Sequence, residues 1–168
     1  RSVLDAGAVI GSPIEAWLLE ALGFDDLPIS ESIAGGMLVA RGSSLAFRHE
    51  LARQGVLAAI TPLARRELHR RVLAALRARS EVDAARLAHH AEEAGDGPAA
   101  LEFSLVAATQ AASASAHRQA AAQYDRALRF AQDQPAEFRA DLLKRKAHEC
   151  FVTGQAQAAL DAAKSEIA

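Results

Sequence analysis

The chain has 168 residues, 41 of them Ala, with eight aromatics, five Pro, one Cys and a formal net charge of −2. That length makes one large domain or two small ones and can bury a proper core; the composition is wrong for a β-sandwich and, because Ala loses no side-chain entropy in a helix, right for a mostly α fold. The single Cys150 excludes an internal disulfide framework and fits a reducing, cytoplasmic setting, no apolar run approaches the roughly 18 to 20 residues that span a bilayer, and the start at Arg1 without a signal-peptide pattern leads us to expect a piece of a longer protein.

Residues 2–10 place apolar side chains at 3, 4, 6, 9 and 10, which predicts a short buried helix ending at Gly11. Ser12-Pro13-Ile14-Glu15 has the spacing of a capping box with Pro at the first helical position, and predicts a helix over about 13–22 with Ile14, Trp17, Leu18, Ala21 and Leu22 on its inner face. Trp17 at that spacing reads as core. Asp25–Pro28 reads as a linker, followed by a short helix over about 28–35 with Ile29 and Ile33 inward.

After Gly35-Gly36 the pattern changes to period two. Met37–Arg41 and Leu45–Arg48 predict a hairpin through Gly42-Ser43-Ser44, with Leu45, Phe47 and His49 on one face and Ala46 and Arg48 on the other. Three short helices followed by a two-stranded wing make a winged-helix pattern. A helix over about 50–60 should bury Leu51, Val56, Leu57 and Ile60. Thr61-Pro62 then caps a helix over 62–79 that should bury Leu63, Leu68, Val72, Leu73 and Leu76.

That last helix is rich in Arg. Residues 2–40 hold six acids and no Lys or Arg, residues 41–79 hold nine Arg against two Glu, and residues 80–168 hold nine basic against thirteen acidic groups. The basic middle either matches the acidic flanks within one fold or offers a docking surface for an anionic partner.

From residue 81 the chain reads as helices over about 82–94, 98–113, 116–132, 136–153 and 156–167, and short breaks force antiparallel neighbours. Ala120, Tyr124, Ala127 and Leu128 match the tetratricopeptide pattern, in which Ala, an aromatic four on and Ala three further pack helix on helix. Leu143, Ala147, Gly154 and Ala159 match it partly, whereas Lys146, Ala163 and Glu166 depart from it. The expected fold is therefore mostly α, with a winged-helix-like part at 1–79 carrying a short β-hairpin, then tetratricopeptide-like helical hairpins at 80–168.

No catalytic constellation is visible. The chain has no G-x-x-x-x-G-K-[ST] loop and no G-x-S-x-G elbow, so we expect no enzyme here. His148 and Cys150, two apart on a helix, face different ways. None of the histidines at 49, 69, 89, 90, 117 and 148 forms the H-E-x-x-H pair, and we expect no metal site. The short helix at 28–35 that would serve as a recognition helix carries Glu31 and no Lys or Arg. Affinity for DNA comes largely from phosphate neutralisation, so no direct DNA binding is expected.

Phe47-Arg48-His49-Glu50-Leu51, Arg65-Arg66-Glu67-Leu68-His69-Arg70-Arg71 and Leu87-Ala88-His89-His90-Ala91-Glu92-Glu93-Ala94-Gly95-Asp96 resemble, in order and spacing, the region that follows the ATPase core in large bacterial LuxR-type transcriptional regulators. These are signal-transduction ATPases with numerous domains. The resemblance runs from about Val3 to Ala168 and implies a segment linking the nucleotide state of an ATPase domain to a signal read by helical repeats. It implies ATP or ADP in the parent protein and no cofactor in this stretch. The implied partners are the parent's own ATPase domain and a small-molecule inducer or protein on the repeats. It also carries over one site residue, His49, as the imidazole that contacts the nucleotide diphosphate and helps hold the resting state. The alternatives are a stand-alone protein-interaction scaffold and, behind it, a DNA-binding winged helix.

Overall fold

The computed structural model describes residues 2–79 and 81–154. They are mostly helical, with a small three-stranded antiparallel sheet, and the chain divides into two compact units, Arg1–Ser80 and Glu81–Ala168. Among the described residues no helix is long and apolar enough to cross a membrane.

The first unit opens with α1 (Val3–Ile10), whose N-terminus is closed by a reciprocal capping box: Ser2 Oγ accepts from Asp5 N–H at 3.0 Å, and Asp5 Oδ2 accepts from Ser2 N–H at 3.2 Å. Sequence spacing assigned such a box to Ser12–Glu15 instead. There the chain does something else. Ile14–Glu15 form a strand, β1, and the helix that follows, α2, is only Ala16–Ala21, with no side-chain cap at Glu15. Ile14 is fully buried against α1, and Gly7 is what lets it in: a Cβ at residue 7 would stand 2.9 Å from Ile14 Cδ1.

The helix α3 starts two residues earlier than expected, at Asp26, and runs to Ala34, absorbing part of the expected linker; Ile29 and Ile33 are half-buried. The hairpin is β2 (Leu38–Arg41) and β3 (Ser44–Phe47). Arg41 pairs with Ser44 across a tight turn in which Gly42 takes φ +60, a value that suits glycine. Because β1 pairs with β3 as well, with Ile14 opposite Leu45, the order is β1-β3-β2 and β3 is central. A central strand covered on both faces buries Leu45, Ala46 and Phe47 alike, where a two-stranded wing would have buried alternate residues.

Two helices complete the unit, α4 (Glu50–Ala59) and α5 (Pro62–Arg77). Thr61 Oγ1 caps α5 through Ala64 N–H, with Pro62 in the first turn. Leu68, Val72, Leu73 and Leu76 are buried as the periodicity predicts. Leu51 and Leu63 are not: each is 80% exposed. Both sit in the first turn of their helix, before the helix reaches the core, so periodicity alone counted them one turn too early. Val56, Leu57 and Ile60 are half-buried, and α4 has no fully buried side chain.

The second unit contains α6 (Ala84–Ala94), α7 (Gly97–Ser113), α8 (His117–Arg129) and α9 (Ala136–Val152). Asp83 caps α6 and Asp96 caps α7, accepting from Ala85 and Ala99 N–H at 3.0 and 3.1 Å. The main packing runs α6 on α7, α7 on α8 and α8 on α9. The Ala-rich faces let the helices come close, and a buried cluster of Ala108, Ala120, Tyr124, Ala127, Ala131 and Leu142 joins α7, α8 and α9. The expected helix over 156–167, with Ala159, Ala163 and Glu166, lies outside the described residues.

Candidate functional site

The residue that the resemblance singles out, His49, stands where β3 ends and α4 begins. Phe47 anchors the strand in the core, and Arg48 ties the strand end back to the α3–β2 connection: its N–H donates to Met37 O at 3.0 Å and its Nε to Gly36 O at 2.9 Å. His49 is then the N-cap residue of α4. Its carbonyl accepts from Ala52 and Arg53 N–H at 3.0 and 3.3 Å, while its side chain makes no cap hydrogen bond and is exposed. Period-two reasoning put His49 on the same face as Phe47. The strand ends before it, and the change of backbone direction into α4 turns the residue out.

The adjoining turn of α4 is held by charge. Glu50 accepts from Arg53 Nε at 3.0 and 2.9 Å and from Nη2 at 2.6 Å, and these hydrogen bonds hold the Glu50 carboxyl below its usual range. The third nitrogen of the same guanidinium, Nη1, donates to Ala8 O at 3.0 Å on α1. The base of His49 is thus a strand end locked by Arg48 and a helix start locked by Arg53.

Much of the Arg-rich stretch is engaged within the first unit. Arg70 donates from Nε to Glu67 at 2.8 Å, and Arg71 donates to Leu22 O. Arg79 lies 4.0 Å over the Trp17 ring, which is half-buried and so forms a shelf for the cation where the sequence suggested plain core. In the second unit Cys150 is buried, and burial pushes its thiol up, the reverse of what activates a nucleophile; His148 is exposed.

The second unit also holds charge pairs that sequence reasoning did not find. Glu92 on α6 accepts from Arg126 Nε at 2.8 Å and Arg129 Nη2 at 2.6 Å, both on α8. His117 Nδ1 on α8 lies 2.7 Å from Glu149 Oε2 on α9, and Lys146 Nζ donates to Asp125 at 2.5 Å. The partners are 21 to 37 residues apart. No local pattern in the sequence marks these pairs, and the Glu92 clamp joins helices that are not consecutive in the chain.

Comparison with known protein families, with curated proteins and with solved structures returns no match for this chain.

Proposed function

We propose that this chain is a regulatory coupling segment of a bacterial ATP-dependent transcriptional regulator of the LuxR type, and not itself an enzyme. In this reading the first unit is a winged helix and the second a run of tetratricopeptide-like hairpins. The order of three short helices, a hairpin and two further helices supports the first assignment. The packing of Tyr124 between Ala120 and Ala127 supports the second.

The observation that carries the proposal is the exposure of His49 at a locked strand-to-helix junction. An imidazole held at the surface by its backbone, with no cap bond to break, can donate a hydrogen bond to an anionic oxygen presented by another domain. In the resting state that oxygen belongs to the diphosphate of ADP on the parent's ATPase domain. A signal molecule or protein on the repeats shifts the balance between the bound and released junction. The setting is cytoplasmic, and α3, which carries Asp26 and Glu31 and no basic residue, is not a DNA-recognition helix.

The test is the reading frame on both sides of this chain. A G-x-x-x-x-G-K-[ST] motif upstream with a helix-turn-helix downstream supports the proposal. Stop codons close on both sides overturn it and leave the second reading, a stand-alone interaction scaffold, which the nearest-neighbour stacking of α6 to α9 favours.

A further inference from the structure

The second unit has an open cavity of about 570 Å³ where the start of α7 meets the end of α8 and the loop beyond it. Its floor is apolar. Leu101 and Leu105 reach it from α7, each half-buried and backed by the Tyr124 cluster, and the half-buried Phe130 lines it with them. Phe130 lies against the first turn of α7, where a Cβ on Gly97 would stand 3.6 Å from the ring. The rim is charged and lopsided. Among the described residues Arg129 is the one cation lining it, and its guanidinium is already committed to Glu92 at 2.6 Å. Glu102 and Asp133 also line it, both exposed, and among the described residues neither takes a hydrogen bond or an ion pair.

A floor of two leucines and a phenylalanine below two unpaired carboxylates is complementary to one kind of occupant, an apolar side chain with a cationic one beside it. We propose that this cavity is a docking site for a peptide segment of a partner protein in which Leu or Phe neighbours Arg or Lys. The apolar side chain fills the space over Leu101, Leu105 and Phe130, and the basic one meets Glu102 or Asp133 at the rim. The site needs no nucleotide and stands or falls apart from the coupling role of His49.

The experiment is fluorescence anisotropy with the full chain and three labelled hexapeptides. The first alternates Leu or Phe with Arg or Lys, the second has Glu in place of every basic residue, and the third has Ser in place of every apolar one. The first peptide should bind and the other two should not. Both acids are exposed, so the double variant Glu102→Gln with Asp133→Asn should fold normally, and it should weaken binding about threefold to tenfold, as expected for two exposed charge pairs. Phe130→Ser should weaken it further, with circular dichroism as the check on folding. Failure of the first peptide to bind, equal binding by the Ser peptide, or unchanged binding by the double carboxamide variant would each overturn the proposal.

Discussion

Glu92 and Arg126 join two helices that are separated in the chain by a third: Glu92 Oε2 on α6 accepts from Arg126 Nε on α8 at 2.8 Å, and Arg129 takes the other carboxylate oxygen at 2.6 Å. Burial by itself would raise the Glu92 carboxyl. The hydrogen bonds from Arg129 and Arg126 outweigh it, and the group sits below its ordinary value of 4.5. A folded value below the unfolded one means that the clamp contributes its full stability above about pH 4.5 and loses it as pH falls through the folded value. Glu92→Gln should therefore cost the second unit about 1 to 2 kcal/mol at pH 7. It should also flatten the fall in stability below pH 4.5. Thermal melts at pH 7 and at pH 3.5 read both effects, and an equal acid-induced drop in variant and parent would remove the clamp from the account.

Packing in the second unit centres on Tyr124, which is 4% exposed and surrounded by Ala108, Ala120, Ala127 and Leu142. Small neighbours cannot move in to fill a large hole, so Tyr124→Ala should cost about 3 to 5 kcal/mol. Leu51→Ala and Leu63→Ala remove side chains that are 80% exposed and should each stay within about 0.5 kcal/mol. Urea denaturation of the three variants decides the matter; a loss above about 2 kcal/mol for either leucine would contradict the placement of α4 and α5.

How much of this was legible in the sequence depends on the range of the interaction concerned. Local signals did well: the Thr61-Pro62 cap, the breaks at Gly95 and at Pro135, and the 3.6 period through Leu68, Val72 and Leu76 all lie within one or two turns of chain. The strand β1 was not legible. Ile14-Glu15 is two residues long, pairs with Leu45 and Ser44 about thirty positions away, and follows a Ser-Pro that imitates a helix start, while the capping box that forms is Ser2 to Asp5. The outward turn of His49 was missed for a related reason. Period two says which face a strand residue takes but not where the strand stops, and here β3 stops at Phe47 because α4 needs His49 as its N-cap. The charge clamps between α6, α8 and α9 depend on which surfaces face one another, which no local pattern encodes.

The helix α4 buries none of its side chains fully, so its attachment to the rest of the first unit leans on polar contacts. Arg53 supplies the chief one: Nη1 donates to Ala8 O on α1 while Nε and Nη2 are held by Glu50. Removing the guanidinium leaves a half-covered helix on a weakened footing. Arg53→Ala should speed amide hydrogen exchange across α4 by at least about tenfold, corresponding to the low end of the roughly 1.5 to 3 kcal/mol expected of a hydrogen bond from a charged group, with exchange in α6 to α9 unchanged. Uniform acceleration through both units would mean that α4 does not open on its own.

His49 offers a variant that separates function from folding. Its side chain is exposed and its structural contribution comes from the backbone carbonyl, which any residue supplies. His49→Ala should leave the stability of this chain within about 0.5 kcal/mol of the parent, with an unchanged circular dichroism spectrum. The proposed coupling role requires that, in a regulator containing this segment, the same change release the resting state, seen as faster ADP release and promoter activation without the inducer. His49→Gln, which keeps a hydrogen-bond donor near the same place, should restore part of the restraint. If His49→Ala were folding-neutral and also silent for nucleotide release and promoter output, the imidazole would have no part in coupling, and the exposure of His49 would be only the consequence of where β3 ends.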